Sequence, residues 1–179
     1  MTNNIVKAVL AILCVIVGYL CYDSIASTLR MQNQIAYVEG KIIQRLTEIK
    51  EAQFAYKDAY GVFANSFDSL EYGLKNGKIV ELKQVGELTE ANQTVVIDTM
   101  FVTIADKLKD KIANFDSLRF VPCSDKVEFK IGSGTVNRNG VTLQVFEVID
   151  PKPVNKKRAL KVGSLSDAIY TGNWEKQEN

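Results

Sequence analysis

Histidine is absent from the 179 residues. Its absence removes the side chain that titrates nearest neutral pH, the usual base for serine and cysteine nucleophiles, and the commonest metal ligand. Cysteine is scarce, with 3 in all, and only Cys123 lies outside the apolar opening, so the remainder has no second thiol for a disulfide. A charge excess of either sign is also missing: 22 Lys and Arg face 21 Asp and Glu, for a net +1. Phosphate recognition needs basic charge gathered on one face, so nucleic acid is not an expected partner. No carboxylate pair has a spacing that argues for glycoside cleavage. Gly132-Ser-Gly134 lacks the following helix and lysine of a phosphate loop, and is expected to join two strands. These gaps predict a chain with no catalytic residues, no cofactor and no metal. An enzymatic alternative would rest on carboxylate or lysine chemistry alone.

What the chain does have begins at its start. Ala8 to Tyr22 (AVLAILCVIVGYLCY) carries no charge. Ile5 and Val6 extend it past Lys7, and Ile25 and Ala26 extend it beyond Asp23 and Ser24. About 20 residues cross a bilayer core of roughly 30 Å, and Lys7 is near enough to the end to snorkel. The Leu, Ile and Val side chains supply roughly −3 to −6 kcal/mol on an insertion scale, more than one near-terminal lysine costs. The predicted anchor residues are Val9, Leu10, Ile12, Leu13, Val15, Ile16, Val17 and Leu20. Cys14 and Cys21 read as small apolar fillers. Lys7 against Asp23 predicts a short tail inside the inner (cytoplasmic) membrane and a body exported to the periplasm or cell exterior. The competing reading is a cleaved signal peptide with Ser24-Ile25-Ala26 as its site, which would leave a secreted domain.

From Leu29 to Tyr60 there is no proline, and helix formers dominate. Ile35, Val38, Ile42, Leu46, Ile49, Tyr56 and Tyr60 form a stripe at three- and four-residue steps, opposite Glu39, Lys41, Arg45 and Glu48. Gly40 is a soft point costing about 1 kcal/mol relative to alanine, and Gly61 stands where a left-handed cap belongs. The later half of the stripe is expected to pack on the chain's own domain. For Leu29 to Arg45 two uses are open: the same packing, or projection as a stalk that meets other helices. Ile35, Val38, Ile42, Leu46 and Ile49 are the candidate contact residues. In the lipid, Ala8, Ala11 and Gly18 offer small surfaces for close helix packing.

The sequence EAQFAYKDAYGVFANSFDSLEYGL that follows the apolar helix resembles the type IV pilin and pseudopilin family. Ala52, Tyr56, Tyr60, Gly61, Phe63, Ser66 and Leu70 occupy that family's pattern at the end of its long helix. The likeness covers about the first 80 residues. It lacks the Gly-aromatic prepilin cleavage junction and the Glu near the start of the mature family chain. The resemblance implies an α+β fold: a transmembrane helix running into a long amphipathic helix, then a small antiparallel-sheet head. It also implies a structural or accessory role in a cell-envelope assembly, with membrane lipid, other envelope proteins, and this chain itself through its N-terminal helix as partners. The expected division is anchor 1–28, stem 29–61 and head 62–179.

Within the head, Asp68-Ser-Leu-Glu71 is a capping-box spacing for a short helix closed at Asn76-Gly77. Lys78 to Val85 reads as a strand, and Glu87 to Asn92 as polar loop. Phe101, Ile104, Ala105, Leu108, Ile112 and Phe115 fall at helical spacing after a cap at Asp98. A strand continuing to Ile104 is the alternative. Strands are also expected over Ser117 to Val121, Lys126 to Ile131, Val141 to Ile149 and Ala159 to Val162, with a turn at Asn139-Gly140. Val141 to Ile149 is apolar on both faces in its second half, which suits a central strand. Asp150-Pro-Lys-Pro ends it, and Ser164 to Tyr170 is a turn or short helix. The sum is one sheet of four or five strands.

Four features remain. Cys123 reads as a buried or incidental thiol. Lys156-Lys-Arg158 with Lys152 reads as a solvated basic loop. Asn92-Gln-Thr94 fits a glycosylation sequon. Trp174, the single tryptophan, either covers a core edge or anchors in a partner's pocket. Those two uses of Trp174 correspond to two roles for the head, structural element or membrane-tethered module that binds a ligand, peptide or polysaccharide.

Overall fold

The computed structural model describes residues 2–85, 96–112, 114–156 and 158–175, and the loop and sequon expected within 86–95 lie outside these. Its elements are α1 (Thr2–Tyr60), α2 (Phe67–Asn76), β1 (Lys78–Val85), β2 (Val96–Thr103), α3 (Ile104–Leu108), a 3-10 turn (Phe115–Ser117), β3 (Lys130–Arg138), β4 (Val141–Ile149) and β5 (Lys161–Gly163). A long apolar N-terminal helix followed by small antiparallel sheets is an α+β layout. Contacts divide the chain into two compact units, Met1–Gly40 and Lys41–Asn179.

In the first unit every described residue is helical, and the local i to i+4 ladder is the principal backbone support. The second unit holds the core. The last turns of α1 contribute Ile42, Leu46, Ile49, Ala52 and Ala55, the central strand contributes Val145, Phe146 and Val148, and all are at most 2% exposed. Gly61 stops α1 with φ +76°, its N–H donating to Lys57 O at 2.7 Å, the left-handed ending that glycine adopts without strain. Phe63 then folds back, edge-on to Phe54 at 5.7 Å and 4.7 Å from Phe146.

The short helix α2 starts earlier than its capping-box spacing suggested. Ser66, not Asp68, is its cap, the Ser66 Oγ accepting from Ser69 N–H at 3.2 Å. The earlier start brings Phe67 into the helix, where Phe67, Leu70 and Leu74 share the buried side. Gly77 follows in extended, not left-handed, geometry (φ −73°). Space demands glycine there, because a Cβ would stand 2.5 Å from both Gly73 O and Ile104 Cδ1.

Two sheets form instead of one. β1 and β2 make an antiparallel ribbon in register Lys78↔Thr103 to Val85↔Val96, and β3-β4-β5 make a three-stranded sheet with β4 central. The ribbon settles the ambiguity at 101–104 in favour of the strand, since pairing along β1 satisfies backbone groups that a helix would withdraw. Asp98 therefore lies inside β2, and Thr103 caps the five-residue α3 by accepting from Asp106 N–H.

The expected strand at 117–121 is reduced to one bridge, Phe120↔Glu128, because the chain reverses at once through Pro122 and the left-handed residues Cys123 and Lys126. β3 consequently begins at Lys130, later than the strand read from 126, and Gly132 and Gly134 sit inside it, where Leu165 rests on them, instead of joining two strands. Asn139 (φ +53°) and Gly140 (φ +82°) form the two-residue hairpin between Arg138 and Val141. Ser164 to Tyr170 forms bends, not a helix.

Candidate functional site

The N-terminal stretch is the first candidate. Its eight predicted anchor residues, Val9 to Leu20, are each between 50% and 73% exposed within the chain. They occupy all sides of the helix, so no apolar face is matched by a polar one. By length and composition this helix is able to cross a membrane.

The stripe C-terminal to it divides at the unit boundary. Ile42, Leu46 and Ile49 are at most 1% exposed and spend their side chains in the core of the second unit. Of the two uses read for the stripe, these three residues take the packing within their own unit. Ile35 and Val38 are half-buried and retain part of theirs.

Trp174 is half-buried and lies over the backbone of Gly172, where an added Cβ would come 2.3 Å from the indole. Gly172 bridges to Val162, and its N–H donates to Glu175 Oε1, which also faces Lys50 Nζ at 3.5 Å. The indole thus covers a sheet margin of its own chain. Tyr170 belongs to the same region: its ring joins Phe54, Phe63 and Phe146, its hydroxyl donates to Gln144 O at 2.7 Å, and Lys57 Nζ stands over the Phe63 and Tyr170 rings at 4.9 and 5.9 Å.

Charged groups gather at one further place. Arg119 reaches Asp68 (2.9 Å), Glu128 (3.4 Å) and Glu71 (3.9 Å), tying α2 to the Phe120–Glu128 bridge. The last distance exceeds a hydrogen bond, and both Glu71 Oε1 and Arg119 Nε are buried without one. Burial pushes the Glu71 carboxyl above its ordinary range, against the pull of Arg119. Nearby, Asp116 holds the Lys75 ammonium above its usual value through a direct hydrogen bond. Among the described residues no group of three His, Cys, Asp or Glu side chains could hold a metal ion.

Cys123 is exposed at its turn, not buried. Lys152, Lys156 and Arg158 are exposed on the loop after β4. Asp58 and Asp68 lie at helix ends and pair with Lys107 and Arg119.

Sequence reasoning missed a polar cup between β5 and the 171–174 segment, lined by Lys161, Ser164, Ser166, Asp167 and Thr171. Its signal was the Ser164-Leu-Ser-Asp167 run directly after a short strand. Compared with protein-family models, curated proteins and solved structures, the chain finds no match.

Proposed function

We propose that the chain is a noncatalytic single-pass membrane protein, a structural or accessory subunit of a cell-envelope assembly with a pseudopilin-like plan. The carrying observation is the run of exposed aliphatic side chains on every side of the N-terminal part of α1, continuous in sequence with the turns that supply core residues to the α+β unit. Buried in lipid, such side chains gain about 0.3–0.6 kcal/mol each, whereas in water they are an aggregation hazard. The Gly61 stop and the returning Phe63 support the pilin-like reading. On this reading the 41–179 unit is displayed outside the inner membrane, and Ile35 and Val38 are the stripe residues left for a neighbouring subunit.

The test uses the full chain in cells, with photo-crosslinkers at Ile35 and Val38. The expected result is protein that pellets with membranes, leaves them only in detergent, retains residues 5–26 by mass spectrometry, and forms crosslinks at these positions. A mature chain beginning after Ala26 in the aqueous fraction would overturn the reading, as would detergent-extracted monomers with no crosslinks.

A further inference from the structure

The loop 164–170 is pinned at both ends. Gly163 N–H donates to Thr171 O at 3.2 Å, Val162 bridges Gly172, and Lys161 N–H donates to Asn173 Oδ1 at 3.1 Å. The cup it encloses has a volume of about 280 Å³. That lies just below the span of roughly 300–1,000 Å³ that suits drug-sized ligands, so a small solute is the right scale. We propose that this cup binds a single pyranose unit of a neutral glycan, with Asp167, Ser166 and Lys161 holding its hydroxyls and Ile169 against its C–H face.

Proton accounting identifies the groups on offer. The Ser164 Oγ accepts from the N–H groups of Ser166 and Asp167, both at 3.3 Å, so its own proton goes to Ser166 Oγ at 3.0 Å. The Ser166 proton is then left to donate outward. Lys161 Nζ gives one N–H to Glu147 Oε1 at 2.9 Å and keeps two. The Asp167 carboxylate is exposed and has no partner among the described residues. Asn173 Oδ1 accepts from Lys161 N–H and its Nδ2 gives one proton to Ala159 O, which leaves the second amide proton as a further donor.

A sugar diol answers this set, since each hydroxyl donates to Asp167 while accepting from Lys161 or Ser166. Other ligand classes meet an obstacle. A phosphate or carboxylate faces Asp167, and the Lys161 charge is already matched by Glu147. A divalent cation finds one free carboxylate and a lysine beside it. An apolar ligand would strip water from three polar groups and return nothing. Sugar binding here does not depend on whether the chain assembles with others.

Saturation-transfer NMR tests this on the full chain in lipid nanodiscs, free of sugar-headed detergent, with D-glucose and N-acetyl-D-glucosamine as probes. Saturable transfer is expected for at least one sugar, and Asp167→Asn should weaken it about tenfold or more, the worth of one charged hydrogen bond. Asp68→Asn, whose carboxylate pairs with Arg119, should leave it unchanged. No saturable transfer with either sugar, equal transfer in Asp167→Asn, or displacement by inorganic phosphate or calcium would overturn the assignment.

Discussion

The side-chain amide of Gln53 closes on both backbone polar groups of Ala64: Nε2 donates to Ala64 O at 3.0 Å, and Oε1 accepts from Ala64 N–H at 2.9 Å. Gln53 is fully buried, so this pair fastens the returning 61–66 segment to α1 where water cannot substitute. Replacing Gln53 with Leu orphans two backbone groups, each worth about 1–3 kcal/mol when left unsatisfied, and should destabilise by roughly 2–5 kcal/mol. Gln53→Glu retains the acceptor but sets a carboxylate against Ala64 O, and should recover stability in acid as the carboxyl protonates. Thermal unfolding of both variants followed by near-UV circular dichroism checks this, and a midpoint unchanged by Gln53→Leu would refute it.

Glu71 supplies a pH-dependent term with a definite sign. Its carboxyl, 17% exposed, is raised by burial, with Asp116 and Asp68 adding to the rise and Arg119 and Lys75 opposing it. The folded state therefore holds the proton more tightly than the unfolded chain. The Glu71 contribution to stability falls as pH rises from the ordinary carboxylate range through the raised value. Glu71→Gln removes the ionisable group at similar volume. Its melting midpoint relative to the parent should be more favourable at pH 7 than at pH 4, with the gap closing on acidification. A gap that widens in acid would show that the Arg119 pairing outweighs burial.

How much of this was readable in the sequence depended on how local the deciding chemistry is. Asn139-Gly140 and Gly61 were legible because left-handed geometry is a property of those residues themselves. β1 was legible with its bounds. The 101–112 segment was not, since its apolar positions fit a strand and a helix start equally well, and the deciding partner, β1, is a separate stretch of sequence that ends at Val85. The split into two sheets is likewise tertiary, as nothing within β2 or β3 states which strands it will join. Gln53 was invisible because a polar residue on a helix gives no sign that its partner stands eleven residues onward in a loop. The cup escaped for the same reason: Lys161 and Asp167 become neighbours only when Gly163 meets Thr171.

Trp174 and Gly172 form a coupled pair. Trp174→Ala should cost about 1–3 kcal/mol, less than the 3–5 of a fully buried aromatic, because the indole is only half-buried. Gly172→Ala places a methyl group 2.3 Å from the indole and should also destabilise. With Trp174 already removed, the three atoms nearest that methyl are gone, and Gly172→Ala should then cost clearly less than it does in the parent. A double-mutant cycle by chemical denaturation measures the coupling. Strict additivity would mean that the indole does not rest on Gly172.

Membrane retention has a threshold that follows from its magnitudes. The apolar run favours insertion by roughly 3–6 kcal/mol, and one arginine near the helix centre costs about 2.5–3.5 kcal/mol. A single Leu13→Arg should therefore leave a substantial share of the protein in the membrane pellet. The double change Leu13→Arg with Val17→Arg costs about 5–7 kcal/mol and also forfeits the contributions of the two side chains removed, which together offset most or all of the gain, and should move most of the chain into the aqueous fraction. Both side chains are more than half exposed within the chain, so neither change disturbs packing in the 41–179 unit. Carbonate-washed fractionation reads the result. Equal membrane retention of the double variant would show that something other than lipid burial of these aliphatic side chains holds the protein there.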